Sequence, residues 1–253
     1  MAIYLEAIVS FWRQKKCRSN SAVLVMMVGC VLLCLFAFTA RAQNGNVQYE
    51  RAKLWEKEIA AFAEADKKEF PKTVEVLFVG SSSIRGWRTL AEDFPDFRTL
   101  NRGFGGSRLE DVNFYVPQIV LPYKPELIVL YAGENDLVAG KAPQRVFDDY
   151  RQFVSLVHEK LPKTRIIFVS IKPGPARWKF RDKFAEANEL IRIESQKDKR
   201  LAFVDVFKSM LEETGEPKKE IFLGDGIHLN REGYKIWREA LAPHIKRGIK
   251  RNF

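Results

Sequence analysis

The chain has 253 residues, 46% of them apolar, with 42 Lys/Arg against 32 Asp/Glu, and that is enough apolar material for one globular domain with its own core. All three cysteines (Cys17, Cys30, Cys34) lie in the first 42 residues, so the rest of the chain can form no disulfide, bind no zinc through thiolates and use no cysteine nucleophile. That leading segment holds five Lys/Arg and one Glu, which reduces the formal +10 to +6 for the remainder, where both signs mix without the basic and aromatic clustering of a nucleic-acid surface.

Residues 1–42 read as an export signal. Arg13, Lys15, Lys16 and Arg18 make a basic start, an apolar run extends from Ala22 to Phe38, and Ala40-Arg41-Ala42 puts small residues where a signal peptidase reads them. Cleavage after Ala42 leaves an exported domain, periplasmic or extracellular, without stable membrane insertion. The alternative is an uncleaved N-terminal membrane anchor, because the run approaches the length of a spanning helix. Gly29-Cys30 has the local look of a lipidation site but sits in the middle of the run.

Residues 43–72 supply an N-terminal helix, predicted over 47–69 and ended by Pro71. Leu54, Ala61 and Ala65 share one face of it, with Ile59 and Phe62 close by. The main domain follows over 73–250. Val74 to Val79, Leu127 to Tyr131, Arg165 to Ser170 and Leu201 to Val206 read as buried strands, and Arg98 to Asn101 as a shorter one. Helical patterns lie between them near 108–121 and over 143–160, 180–197 and 230–248. Strands alternating with helices predict a five-stranded parallel sheet covered on both faces, a three-layer α/β/α sandwich.

In such sheets ligands bind beyond the carboxyl ends of the strands, and four short blocks fall there. Gly80-Ser81-Ser82-Ser83-Ile84-Arg85-Gly86-Trp87 follows the first strand and presents hydroxyls at a helix N-terminus. It is not a phosphate loop, since Trp87 stands where lysine is required. Gly103-Phe104-Gly105-Gly106 follows the second strand, and Arg108 excludes a dinucleotide fingerprint. It can bring a backbone N–H, that of Gly106, to an oxyanion. Gly133-Glu134-Asn135-Asp136 follows the third strand. Asn135 offers an uncharged amide donor suited to charge developing on a carbonyl oxygen, while Asp136 braces the loop.

Asp225 and His228 come last, three residues apart, with Asn230 as the N-cap of the final helix. At that spacing the carboxylate can fix the imidazole tautomer. There are only three histidines in the chain, and His158 and His244 sit within helical patterns with structural or surface roles. A metal site would need further His or carboxylate ligands near His228, and none is in reach along the sequence, so no metal and no cofactor is expected.

These blocks, in this order, resemble the SGNH hydrolases, also called the GDSL esterases and lipases. The first block resembles the family's Gly-Asp-Ser-x-x-x-Gly-Trp and places its nucleophile on Ser82. Its second-block glycine falls on Gly106, its Gly-x-Asn-Asp block on Gly133 to Asp136 with the oxyanion asparagine at Asn135, and its Asp-x-x-His block on Asp225 and His228. The resemblance covers the chain from the first strand to the last helix and implies a flavodoxin-like fold. It is nearest in flavour to platelet-activating-factor-acetylhydrolase-like and carbohydrate-esterase members. Ser81 stands where the family has Asp, and Ser83 leaves a second serine beside the nucleophile.

The expected reaction is hydrolysis of a carboxylic ester by Ser82, His228 and Asp225, with the oxyanion held by Ser82, Gly106 and Asn135. Short acyl esters, such as acetyl esters of a carbohydrate or lipid-like molecule, are the expected substrates. Trp87 and Trp178 are candidates for a stacking wall, and Arg177 for an anionic group on the substrate. The alternatives are a non-catalytic carbohydrate-binding module on the same fold and an acyltransferase acting on a sugar hydroxyl.

Overall fold

The computed structural model describes residues 50–249, so the export-signal reading of 1–42 and its cleavage point lie outside the described residues. Five parallel strands form one sheet in the order β2-β1-β3-β4-β5: β1 Val76–Gly80, β2 Thr99–Gly103, β3 Leu127–Tyr131, β4 Arg165–Val169 and β5 Leu201–Val204. The helices are α1 Glu56–Lys68, α2 Ser82–Arg85, α3 Leu90–Asp93, α4 Leu109–Ile119, α5 Glu134–Val138, α6 Pro143–Lys160, α7 Arg181–Ser195 and α8 Arg231–Gly248. Among the described residues no helix is long and apolar enough to cross a membrane.

The central strands β1 and β3 read as unbroken apolar runs because both faces of the sheet are covered there. Alternation then sorts the side chains of the sheet. Leu77, Val79, Ile128, Leu130, Ile166 and Phe168 pack with Val112 and Val116 of α4, Phe153 and Val157 of α6 and Phe184 and Ile191 of α7. Val76, Phe78, Val129, Tyr131, Ile167 and Val169 pack on the other side with Ile84 of α2 and Trp237, Leu241 and Ile245 of α8. This is the three-layer arrangement that the alternation of elements predicts.

The strand order fixes where a site belongs. The chain steps one way from β1 to β2, then crosses back to β3 on the other side of β1. Connections therefore leave β1 and β3 toward opposite faces, and a crevice opens beyond their carboxyl ends. The segments after β1 and β3 are the Ser82 and Asn135 blocks.

The N-terminal helix differs from its predicted form. The described part contains a tight 3₁₀ turn at Lys53–Trp55 before α1. Leu54 is 67% exposed, and Ala61 and Ala65 also face solvent. The inward stripe is Ala52, Trp55, Ile59 and Phe62. It continues to Asp66, which forms a 2.5 Å ion pair with Arg102 of β2. The guanidinium of Arg102 also lies 4.9 Å from the centre of the Phe62 ring. The buried seam therefore ends on a carboxylate, which a reading of apolar spacing passes over.

Candidate active site

Gly80 ends β1 with φ +138°, and a Cβ there would sit 1.9 Å from the Tyr131 carbonyl oxygen of β3, so only glycine allows the chain to turn this tightly off the sheet. Ser81 continues in extended conformation, its N–H donating to Tyr131 O at 3.0 Å and its carbonyl accepting from Ile84 and Arg85. Ser82 is thus the first residue of the one-turn helix α2, and the first amides of a helix have no partner within it. The Asn101 side chain ties β2 to this turn, donating to Ile84 O at 2.7 Å and accepting from Gly103 N at 2.9 Å.

The three serines separate clearly in space. Ser83 is 2% exposed and points into the fold, its carbonyl accepting from the Tyr234 hydroxyl. Ser81 is likewise buried. Ser82 is half-exposed, and its Oγ lies 3.0 Å from His228 Nε2. His228 Nδ1 is 2.6 Å from Asp225 Oδ2. Ser82 and His228, 146 positions apart in the chain, are therefore in contact, and the imidazole links the serine to a carboxylate.

The loop bearing Asp225 and His228 is locked by its own backbone. An antiparallel bridge pairs Phe222 with Leu229, and Leu223 N donates to His228 O at 2.7 Å. Asp225 Oδ1 accepts from the N–H groups of Ile227 and His228, both at 2.9 Å, leaving Oδ2 for the imidazole. The Asn230 side chain accepts from Glu232 N and Gly233 N and caps α8 as predicted. Although desolvation opposes it, the His228 ring and these two amides hold the Asp225 carboxyl at about 2, well below the ordinary range.

Asn135 stands on the turn after β3, opened by Gly133 at φ +104°. Its Nδ2 donates to Ser107 O at 3.0 Å, which uses one of two amide hydrogens. Ser107 follows Gly106, so the Gly103-to-Gly106 block and Asn135 meet at this contact. Gly106 is exposed, with φ +64° and Trp55 beside it. Asp136 braces the loop as expected: it is fully buried, takes the Leu109 N–H at the start of α4 and is paired with Lys141 Nζ at 2.9 Å. Burial pushes its carboxyl up, against the pull of Lys141.

One substrate expectation needs correction. Trp87 is 1% exposed and cannot form a stacking wall. Its indole is packed against Phe78, Phe94, Tyr234 and Trp237, and its N–H donates to Asp93 at 2.7 Å. Trp178 is half-buried against Phe207, with Arg181 over its ring. Arg177 Nη1 is directed at Glu134 Oε1 (2.9 Å) and Asn135 Oδ1 (3.0 Å), so that end of its guanidinium is engaged inside the protein. Glu134 and Lys172, which meet here as a buried ion pair, were missed as site residues. The sequence does carry a signal for them: each is a charged residue three positions beyond the end of a buried strand, within a buried segment where a charge demands a partner.

A family profile, the GDSL-like Lipase/Acylhydrolase family, matches residues 72–236. Platelet-activating factor acetylhydrolase IB subunit alpha2 of Rattus norvegicus is 27% identical over 172 residues, covering 64% of this chain and 72% of that protein. A GDSL-like lipase from Bacteroides thetaiotaomicron superposes with a TM-score of 0.61 at 25% identity, covering 78% of this chain and 98% of its own. A carbohydrate esterase family 3 structure from Talaromyces cellulolyticus shares the fold, with a TM-score of 0.59 at 17% identity over 69% of this chain and 97% of its own.

Proposed function

The chain belongs to the GDSL-like lipase/acylhydrolase family and is an SGNH-type esterase, and on that premise we propose that it is exported and hydrolyses short acyl esters through Ser82, His228 and Asp225. The observation that carries this reading is the continuous chain from Ser82 Oγ to His228 Nε2 (3.0 Å) and from His228 Nδ1 to Asp225 Oδ2 (2.6 Å). It has the geometry of a nucleophile, a base and a carboxylate that orients the base.

In this reading His228 removes the Ser82 proton as Oγ attacks the ester carbonyl. The resulting oxyanion is held by the N–H groups of Ser82 and Gly106 and by the second amide hydrogen of Asn135. The imidazolium, steadied by Asp225, gives its proton to the departing alkoxide, leaving an acyl group on Ser82. His228 then activates water to release the acid and restore the serine. Ser81 needs no carboxylate here, because the turn before the nucleophile is held by backbone hydrogen bonds.

The acyl group is proposed to be small, acetyl above all, and its carrier a carbohydrate or lipid-like alcohol. The names of the relatives, an acetylhydrolase and a carbohydrate esterase, support that preference. The test is hydrolysis of a nitrophenyl acetate by the wild type and by Ser82→Ala and Ser83→Ala. Ser82→Ala is expected to lose essentially all activity and all labelling by a serine-directed phosphonate, while Ser83→Ala keeps both. Equal rates for wild type and Ser82→Ala would overturn the assignment. Release of acetate from acetylated polysaccharide, compared with release of longer acyl chains, tests the substrate class.

A further inference from the structure

A charged cluster lies directly beneath Asn135. Glu134 and Lys172, the latter 0% exposed, form a buried ion pair just beyond the ends of β3 and β4. Glu134 Oε2 also accepts from the Tyr131 hydroxyl at 2.5 Å, and Oε1 faces Arg177 Nη1 at 2.9 Å. Arg177 Nη1 in turn donates to Asn135 Oδ1 at 3.0 Å. One carboxylate is thus shared by two cations, and one of those cations reaches the candidate oxyanion asparagine. Desolvation works against ionisation of Glu134, but Lys172 and Arg177 outweigh it and hold its carboxyl below the ordinary range.

We propose that Arg177, anchored by Glu134 and Lys172, is a positioning residue that fixes the orientation of the Asn135 carboxamide toward the oxyanion. The proposal rests on the oxyanion role given to Asn135 above. A carboxamide has two nearly isosteric ends, and rotation by half a turn exchanges donor for acceptor. Here Oδ1 faces a guanidinium, which can only donate, and Nδ2 faces the Ser107 carbonyl, which can only accept. The rotated amide would set N–H against N–H and C=O against C=O. A single orientation is therefore selected, and it leaves the second Nδ2 hydrogen for a ligand.

The cationic partner also polarises the amide. A donor on Oδ1 draws electron density from Nδ2 and strengthens the hydrogen bonds it donates. Burial pulls the Lys172 ammonium down, so the positive charge nearest Asn135 is that of the Arg177 guanidinium, held in place by Glu134. Lysine at 177 could still pair with Glu134, but a point ammonium does not reproduce the planar guanidinium reach to Asn135.

The experiment is a double-mutant cycle between Arg177 and Asn135 on full-length protein, read as kcat and KM for a short acyl ester, with thermal melts to establish folding. Asn135→Ala alone is expected to lower kcat by roughly 10²–10³-fold. Arg177→Ala is expected to lower kcat by about 10–100-fold with KM changed less than about twofold. In the Asn135→Ala background, Arg177→Ala should change kcat by less than about twofold. Arg177→Lys keeps a cation beside Glu134 and carries the same cycle if Arg177→Ala fails to fold. Its expected loss is smaller, and it too disappears in the Asn135→Ala background.

A loss of kcat that is equal in both backgrounds would overturn the proposal, as would a rise in KM with kcat retained, which marks a substrate contact instead. A normal kcat for Asn135→Ala would overturn the oxyanion role itself, and the proposal with it. That failure is distinct, because the Ser82→Ala result would stand apart from it.

Discussion

The role proposed for Asp225 can be separated from mere folding. Its Oδ1 closes the loop through two backbone N–H groups, and Oδ2 alone faces the imidazole. Asp225→Asn keeps an acceptor for the backbone but can turn an N–H toward His228 Nδ1, which favours the tautomer unable to accept the Ser82 proton. The variant is expected to fold normally and lose between roughly 10² and 10⁴ in kcat. The Asp225 side chain is 43% exposed, so water shares its task and the loss falls short of that for a buried carboxylate. Its depressed pKa also carries a sign. A carboxyl held at about 2 contributes stability above the ordinary range and loses it as pH falls through that range toward 2. Thermal midpoints of wild type and Asp225→Asn should therefore run parallel from neutral pH to about pH 5 and converge only in stronger acid. Convergence already above about pH 5 would contradict the assignment. At this scale the sequence could bring Ser82, Asn135, Asp225 and His228 forward as candidates, because each proposed role needs a particular chemical group. It could not expose the error at Trp87, because whether an indole faces water depends on α8, which begins only at Arg231.

The boundaries of the strands and long helices were legible, since β3 and α6 coincide with their predicted spans and the others differ by a few residues at their ends, whereas the one-turn helices α3 and α5 carry too few residues to show a period. Apolar runs and their period decide such elements locally. The N-terminal helix is the exception, and its polar seam explains why. Asp66 meets Arg102 at 2.5 Å, and the Tyr123 hydroxyl donates to the same carboxylate while accepting from Arg102 Nε at 2.8 Å. Burial, and then the Asp66 hydrogen bond, push the Tyr123 hydroxyl up to about 12. Asp66→Ala removes that bond and leaves the lowering effect of Arg102, so Tyr123 should titrate closer to an ordinary tyrosine when followed by tyrosinate absorbance. The linkage has a definite sign. A raised pKa contributes stability that is complete below about pH 10 and fades as pH rises toward 12. The wild type therefore loses stability over that interval, and Asp66→Ala loses less of it. At neutral pH the variant leaves Arg102 short of its carboxylate and should cost about 3 kcal/mol, measured by denaturant unfolding. An unchanged midpoint and an unchanged Tyr123 titration would mean that the seam does not hold the helix.

At the scale of the whole molecule, the N-terminal helix packs against the segments that carry the candidate site. Glu58 of α1 accepts from the Gly105 N–H at 3.1 Å and pairs with Arg85 at the end of α2. Trp55 packs edge-on against Phe104 and lies beside Gly106. The Tyr115 hydroxyl of α4 donates to Ala52 O at 2.7 Å. The helix thus buttresses both the glycine turn and the nucleophile turn. The strand order made the site legible in outline, because both blocks flank the point where connections change face. The buttress was not legible, since its contacts join residues 27 or more positions apart through charges and aromatic edges. Two truncations separate the parts. A chain beginning at residue 43 keeps every described contact and is expected to match the full chain in kcat/KM and thermal midpoint. A chain beginning at residue 71 exposes the surfaces that Trp55, Ile59 and Phe62 cover. At about 1.5–3 kcal/mol for each large apolar side chain, the loss approaches the whole stability of an ordinary domain. It should aggregate or melt below the assay temperature, and any folded fraction should show a depressed kcat, because Gly105 has lost its acceptor. Full activity from the chain beginning at residue 71 would show that the strands and their carboxyl-end loops hold the site without the helix.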